Sequence, residues 1–329
     1  MQDQARVVAP NVEFYDAQPA LGNSRSELLA GLRQTQKKVD PKWFYDAAGS
    51  QLFEQITELP EYYPTRTEIG ILKANQQAIA QHCGDGCLFI EPGSGSCEKA
   101  RLLLDTLRPA AYLPLDISAD FLRETAVQLG HEYPWLQIMA ICADFNQDWP
   151  FPDNLPAGKR VVFYPGSTIG NLEPQAATIF LKKVRHLIGE DGGLLIGVDL
   201  HKSSQRLHAA YNDTSGVTAR FNLNVLSRLN EILDAEFDEG RFSHKAWYNE
   251  AEKRIEMHLV SDSVQAVRCN GQYIEFDAGE TIHTENSYKY TVEGFAELAA
   301  EAGMSMQASW LDQQQLFSVH YLSAAGSPV

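Results

Sequence analysis

Residues 91–99 read EPGSGSCEK and end the apolar run CLFI. Gly93 and Gly95 let the backbone approach a ligand closely and turn helix N–H groups toward it. A dinucleotide-binding loop wants a third glycine near position 98, and this chain carries Glu98 there, followed by Lys99. Asp116 closes the run AYLPL, Asp144 and Phe145 close LQIMAICADF, and Gly166 to Asn171 (GSTIGN) follow KRVVFYP. Asp116 can accept from both hydroxyls of a ribose, which suits a dinucleotide and an amino-acid-tailed nucleoside alike. The pair Asp144–Phe145 can hold adenine, the carboxylate taking the exocyclic amine and the ring packing on the base; a helix cap followed by a core phenylalanine is the plainer alternative. Lys99 can pair with a ligand carboxylate, and Glu91 or Glu98 with its ammonium; a solvated Glu-Lys helix face is the alternative. Taken together, the loop suits an amino-acid-tailed nucleoside better than a pyrophosphate.

These residues need a scaffold that brings strand ends together. The first 20 residues look irregular. Helical spacing appears at 23–36, 50–59 and 67–83. Short apolar strands then alternate with helices: strand 87–91, helix KARLLLDTL, strand 111–115, helix ADFLRETAVQL, strand LQIMAICADF, strand KRVVFYPG, helix PQAATIFLKKVRHLI and strand GGLLIGVDL. That rhythm predicts an α/β doubly wound parallel sheet, whose ligand sits outside the carboxyl ends of the strands. After residue 200 the pattern changes to a long amphipathic helix with Phe221, Val225, Leu229 and Leu233 on one side. KRIEMHLV, QAVRC and QYIEFDA follow and predict antiparallel strands, with Ile255, Met257 and Leu259 on one face. VEGFAELAAEAGM returns to helix, and MQASWL and LFSVHYL suit a closing hairpin.

The chain has 329 residues, 44% of them apolar, and a formal net charge of −16. An acidic surface repels phosphate backbones, so no nucleic-acid partner is expected. No apolar run reaches the ~20 residues of a membrane helix, and the N-terminus lacks a signal-peptide pattern, so no membrane association and a cytoplasmic location are expected. The five cysteines form no C-x-x-C pair, which argues against a disulfide framework. Cys97 reads as a small neutral side chain in a tight loop. The histidines show no close ligand spacing, and no metal site is expected.

The stretches KWFYDAAGSQLFEQITELPEYYPTRTE, EPGSGSCEK, PLDIS, CADF, GSTIGNLEP, AYNDTSGVTARFN, RIEMHL and HTENSYKY run in that order from residue 42 to 290. In them the chain closely resembles the histidine-specific, S-adenosylmethionine-dependent methyltransferases of ergothioneine biosynthesis. The resemblance implies a class I (Rossmann-like) methyltransferase fold with an inserted α+β substrate-binding domain; the change of pattern places the former over 20–199 and 290–326 and the latter over 200–289. It implies S-adenosylmethionine as cofactor and α-N-methylation of L-histidine to the trimethylated hercynine by a monomer. Another amino acid, such as an indole one, or an end point of one or two methyls is the alternative within the family. Tyr45, Gly93, Lys99, Asp116, Asp144 and Phe145 match the family's cofactor contacts. Gly166 falls with the substrate loop, and Tyr62, in preference to Tyr63, matches the substrate's amino-acid head together with Asn171 and Tyr211. Glu285, Ser287 and Met257 match the imidazole pocket. Two departures stand out: Pro92, where the family loop more often reads Glu-Phe-Gly-Ser-Gly, and polar Asn286 between Glu285 and Ser287.

The chemistry of those types agrees. Asn171 and Tyr211 can donate to a carboxylate without a charged clamp. Glu285 and Ser287 lie two apart on an expected strand and so share a face, where a carboxylate and a hydroxyl suit the two nitrogens of an imidazole. An exposed polar face of an edge strand is the alternative from spacing alone.

Overall fold

The computed structural model describes residues 6–17, 21–144, 147 and 149–326. The chain forms two compact units: Met1–Pro19, Pro64–His201 and Tyr290–Val329 make one, and Ala20–Tyr63 with Lys202–Lys289 make the other.

The first unit is built on a nine-stranded sheet. Its strands are β1 (Arg6–Ala9), β2 (Val12–Asp16), β4 (Leu88–Pro92), β5 (Ala111–Asp116), β6 (Gln137–Cys142), β7 (Arg160–Tyr164), β8 (Gly193–Asp199), β14 (Met304–Leu311) and β15 (Phe317–Ala324). They lie in the order β1-β2-β6-β5-β4-β7-β8-β15-β14. β2, β6, β5, β4, β7 and β8 run parallel, and β15 inserts antiparallel between β8 and β14. β4 and β8 are buried at every residue, which is why these segments read as continuous apolar runs and not as alternating ones. Helices α3 (Tyr63–Cys83), α4 (Glu98–Leu107) and α5 (Ala119–Glu132) pack Leu72, Leu104 and Leu122 against one face with Phe89 and Tyr112. Helices α6 (Pro174–Ile188) and α9 (Val292–Glu301) pack Leu181 and Phe295 against the other, with Ile90 and Val162. Strand order reverses between β4 and β7, and the glycine loop follows β4 at that switch point. This is the class I methyltransferase architecture. The N-terminal segment expected to be irregular instead holds the β1–β2 hairpin. Asn11 anchors it, donating to the carbonyls of Gly130, Tyr133 and Leu136 at 3.3, 3.1 and 2.8 Å.

The second unit carries a four-stranded sheet in the order β3-β13-β10-β9. Its strands are β3 (Lys37–Lys38), β9 (Phe242–Asn249), β10 (Arg254–Ser261) and β13 (Thr281–Tyr288), and β11 (Gln265–Cys269) pairs separately with β12 (Gln272–Phe276). Its helices are α1 (Leu21–Leu32), α2 (Ala47–Glu58), α7 (Ser204–Tyr211) and α8 (Val217–Leu233). Phe221, Val225, Leu229 and Leu233 of α8 are all buried. The stretch 20–63, expected with the parallel sheet, clusters here instead. The reason is aromatic and long-range: Phe44 stacks on Phe221 at 4.6 Å, Phe53 lies 5.9 Å from the same ring, and Lys37 pairs with Ile282.

Candidate functional site

In the first unit the loops after β4, β5, β6 and β7 meet at the strand ends. Gly93 and Gly95 take positive φ (69° and 50°), and the amides of Gly93 and Ser94 both donate to Leu115 O, at 2.8 and 3.1 Å. Asp116 closes β5 and accepts from Gly95 N through Oδ2 and from Ser118 N through Oδ1, each at 3.0 Å. Each oxygen keeps a lone pair, so the carboxylate can still accept from two neighbouring hydroxyls. Burial raises its pKa, opposed by those amides. Asp144 lies two residues beyond β6, is buried, and accepts from Gln147 Nε2 at 3.3 Å. Phe145 lies outside the described residues. Gly166 (φ 81°) and Ser167 (φ 56°) turn the chain after β7 into the short 3-10 turn Thr168–Asn171, which ends at Asn171.

Two charged residues of this unit have protein partners that the sequence did not suggest. Glu91 is 2% exposed and accepts a hydrogen bond from the buried Tyr112 hydroxyl. Burial pushes its pKa up to about 8, against the Tyr112 bond and Lys99. Lys99, on the first turn of α4, has a protein partner that spacing could not reveal: its Nζ lies 2.6 Å from Glu68 Oε2. Cys97 is 1% exposed with φ 56°, and burial drives its thiol pKa upward. It is therefore a neutral loop residue.

These residues fit an amino-acid-tailed nucleoside. The glycine loop leaves open space where a Cβ at Gly95 would lie. Asp116 offers paired acceptor positions, and Lys99 offers an ammonium at the head of a helix, where anions are favoured.

In the second unit β13 pairs with β10 so that Ser287 opposes Ile255 and Glu285 opposes Met257. Opposed residues share a face, so Met257, Glu285 and Ser287 line the same side. A β-bulge at this point sets both Thr284 and Glu285 against Met257, a device that re-aims side chains. Thr284 is fixed there by donating to Asn222 Oδ1 (2.7 Å), and Asn222 in turn donates to the His258 carbonyl (3.0 Å). The Tyr211 hydroxyl donates to Ser287 Oγ at 2.8 Å, and Lys289 Nζ donates to Ser287 Oγ at 2.5 Å and to Tyr211 Oη at 3.3 Å. Lysine has no acceptor, so Ser287 spends its lone pairs on two donors and keeps its own O–H to offer. Glu285 is pushed up to about 7 by burial, with Lys289 opposing. The face thus offers one hydroxyl donor and one acid.

Tyr62 lies 6.5 Å from the Tyr211 ring, edge to face, and 6.3 Å from Phe53. The Tyr63 hydroxyl accepts from Lys202 Nζ at 2.7 Å. Tyr45 packs on Phe53 and Phe221 at 5.7 and 5.9 Å. Sequence reasoning assigns no role to Glu68, Lys289, Asn222 or Phe53, and places Phe221 only on the apolar side of its helix. All five lie inside the family-matching stretches beside named residues: Phe53 and Glu68 in KWFYDAAGSQLFEQITELPEYYPTRTE, Phe221 and Asn222 in AYNDTSGVTARFN, and Lys289 in HTENSYKY.

Among the described residues, Glu256, His258 and His283 bring donor atoms within 4.8 Å of one another. The two imidazoles stack almost parallel (4.4 Å, 6°), so their in-plane lone pairs lie in separate layers and do not converge. Glu256 is already held by Arg254 Nε at 2.8 Å. Burial lowers His258 to about 4, so it packs as a neutral ring between Trp247 and His283. The group closes the far face of β10.

The sequence profile described as "Histidine-specific methyltransferase, SAM-dependent" matches residues 24–324. The chain is 43% identical over 296 residues to the "Histidine N-alpha-methyltransferase" of Mycobacterium tuberculosis (strain CDC 1551 / Oshkosh), covering 88% of this chain and 91% of that protein. It is equally similar, 43% over 295 residues, to the protein of the same name in Mycolicibacterium smegmatis, again with 88% and 91% covered. "Ergothioneine biosynthesis protein 1" of Neurospora crassa is 32% identical over 274 residues, which are 81% of this chain but 31% of that protein. A profile match over nearly the whole chain, on a sheet of class I methyltransferase order, identifies it: the chain belongs to the family of histidine-specific, S-adenosylmethionine-dependent methyltransferases.

Proposed function

We propose that the protein methylates the α-amine of L-histidine, using S-adenosylmethionine, to the trimethylated product hercynine in ergothioneine biosynthesis. The observation that carries the substrate is the β13 face, where Glu285 and a donor hydroxyl on Ser287 stand two residues apart beside Met257. A buried carboxylate is costly beside an apolar ring and is compensated by an imidazole N–H. The Ser287 O–H then matches the second, unprotonated nitrogen. An indole offers one N–H and no acceptor, so it leaves that hydroxyl unpaired.

The second unit is read as the substrate-binding domain and the first as the methyl-donor domain. Gly93, Asp116 and Lys99 are assigned to S-adenosylmethionine with Asp144, Phe145 and Tyr45. Tyr62, Gly166 and Asn171 are assigned to the amino-acid head, and Tyr211, whose proton goes to Ser287, is assigned beside them as a lining ring and not as a carboxylate donor. Bound S-adenosylmethionine supplies an activated methyl on a sulfonium, so the chain's residues need mainly to position a neutral amine. An α-amine has a reference pKa of about 7.7–8.0, so its deprotonation near neutrality costs little. Tyr62 orients the nitrogen or a water that takes the proton. A monomeric enzyme without nucleic-acid or membrane partners, working in the cytoplasm, completes the reading; among the described residues no helix is long and apolar enough to cross a membrane.

The test is mass spectrometry of products from purified protein, S-adenosylmethionine and the twenty amino acids together. Three methyl groups on histidine alone, none on its ring, is the expected result. A product with one or two methyls refutes the trimethylated end point, and methylated tryptophan or tyrosine refutes the ring assignment.

A further inference from the structure

One buried acid of the first unit has no part in the scheme above. Glu68, on α3, is 1% exposed. Its Oε2 lies 2.6 Å from Lys99 Nζ, and its two oxygens share the amide N–H of Gly166 at 3.0 and 2.9 Å. Beneath it is Gly197 of β8, where a Cβ would fall 1.9 Å from Glu68 Oε1. A Cβ on Gly166 would fall 3.3 Å from Lys99 Nζ. One carboxylate from α3 therefore ties the head of α4 to the turn after β7, directly over β8. Glycine at 197 leaves the room it occupies. The pair is asymmetric: the Lys99 side chain is 17% exposed and that of Glu68 1%. An incoming ligand meets the ammonium and not the acid. A lysine carries three donors, of which Glu68 uses one.

We propose that Glu68 is a positioning residue for the methyl donor, holding the Lys99 ammonium and the Gly166 turn where the carboxylate of an amino-acid tail docks. The inference rests on reading Lys99 as a contact to that tail. Without Glu68 the lysine stem is free to rotate, and the ligand must order it on binding.

The probes are S-adenosylhomocysteine, which has the tail, and 5′-methylthioadenosine, which lacks it, with affinities measured by calorimetry on the full chain. Glu68→Gln keeps the shape and an acceptor for Gly166 but loses the charge. Loss of one charge-assisted hydrogen bond predicts roughly 10- to 100-fold weaker S-adenosylhomocysteine binding with 5′-methylthioadenosine unchanged. Glu68→Asp keeps the charge, so the fold survives, yet it cannot reach both partners; it should fall between the two. Equal losses for both probes would mean a role in the fold alone and overturn the proposal. The double variant Glu68→Gln/Lys99→Met separates the premise from the inference. If it loses S-adenosylhomocysteine while the single variant does not, Lys99 holds the tail without Glu68 and the proposal is wrong. If the double variant binds like the parent, the reading of Lys99 itself fails, and the proposal with it.

Discussion

Glu285→Gln tests the ring pocket through stability as well as turnover. In the protein Glu285 titrates at about 7, raised by burial from an ordinary 4.5. An acid whose folded pKa is raised binds more protons folded than unfolded between those two values. Its contribution is therefore lost as pH rises from about 4.5 to about 7 and stays lost above. At about 1.4 kcal/mol per unit, the shift amounts to about 3 kcal/mol. The side chain is half-buried, not sealed, so solvent screening trims this, and ~2 kcal/mol is the working figure. Glutamine never ionises, and every other titrating group is common to both proteins. The stability of Glu285→Gln minus that of the parent should rise by ~2 kcal/mol between about pH 4 and about pH 8, read from urea unfolding of both proteins across that range. The same substitution should cost histidine about 10- to 100-fold in kcat/KM, because a charge-assisted hydrogen bond is worth ~1.5–3 kcal/mol. A variant that is more stable at alkaline pH and less active is what a pocket holding an underpaired acid for its substrate predicts. A pH-independent stability difference would refute the assignment of the shift to Glu285, and equal losses for histidine and tryptophan would refute its role as ring reader.

Three further outcomes are expected. Lys289→Met removes the donor that fixes Ser287 and the cation that opposes the Glu285 shift, so KM for histidine should rise about 10-fold and the stability step just described should move to higher pH, while S-adenosylhomocysteine binding is unchanged; an unmoved step counts against the electrostatic link. Asn222→Ala takes the Asn222 donor from the His258 carbonyl and leaves the buried Thr284 hydroxyl only the Met257 carbonyl, and should cost ~1–3 kcal/mol by urea unfolding with a parallel loss of histidine turnover, since the bulge it braces aims Glu285. Cys97 should resist alkylation in the native protein at about pH 8, where free thiols react, because it is buried and neutral; rapid labelling would reopen it as a reactive thiol.

What could be read from the sequence divides along a physical line. The parallel strands were legible because burial on both faces leaves a short apolar run that little else produces: LFIEP and GLLIGVD are buried throughout. Helix α6 was legible to the residue, because Pro174 starts it and Gly189 stops it. The hairpin at the N-terminus was not, because RVVA and VEFYD are too short to declare themselves. What orders them is Asn11 reaching carbonyls more than a hundred positions away. β10 misled in a subtler way. Ile255, Met257 and Leu259 alternate as they would on a half-exposed strand, yet Glu256 and His258 on the other face are buried too, covered by stacked rings and an arginine. Site residues followed the same rule. Asp116 and Glu285 could be named because strand ends and two-residue periods are local. Glu68 could not, since a glutamate on an amphipathic helix reads as a solvated face. Only the fold reveals that its neighbours are a lysine from the next helix and a glycine that leaves it room. The charges that tune a site are thus the part of it least visible in sequence, because their meaning lies in a partner that no spacing rule locates. In this chain Lys289 and Glu68 are such charges, each setting what a recognisable residue beside it can donate or accept.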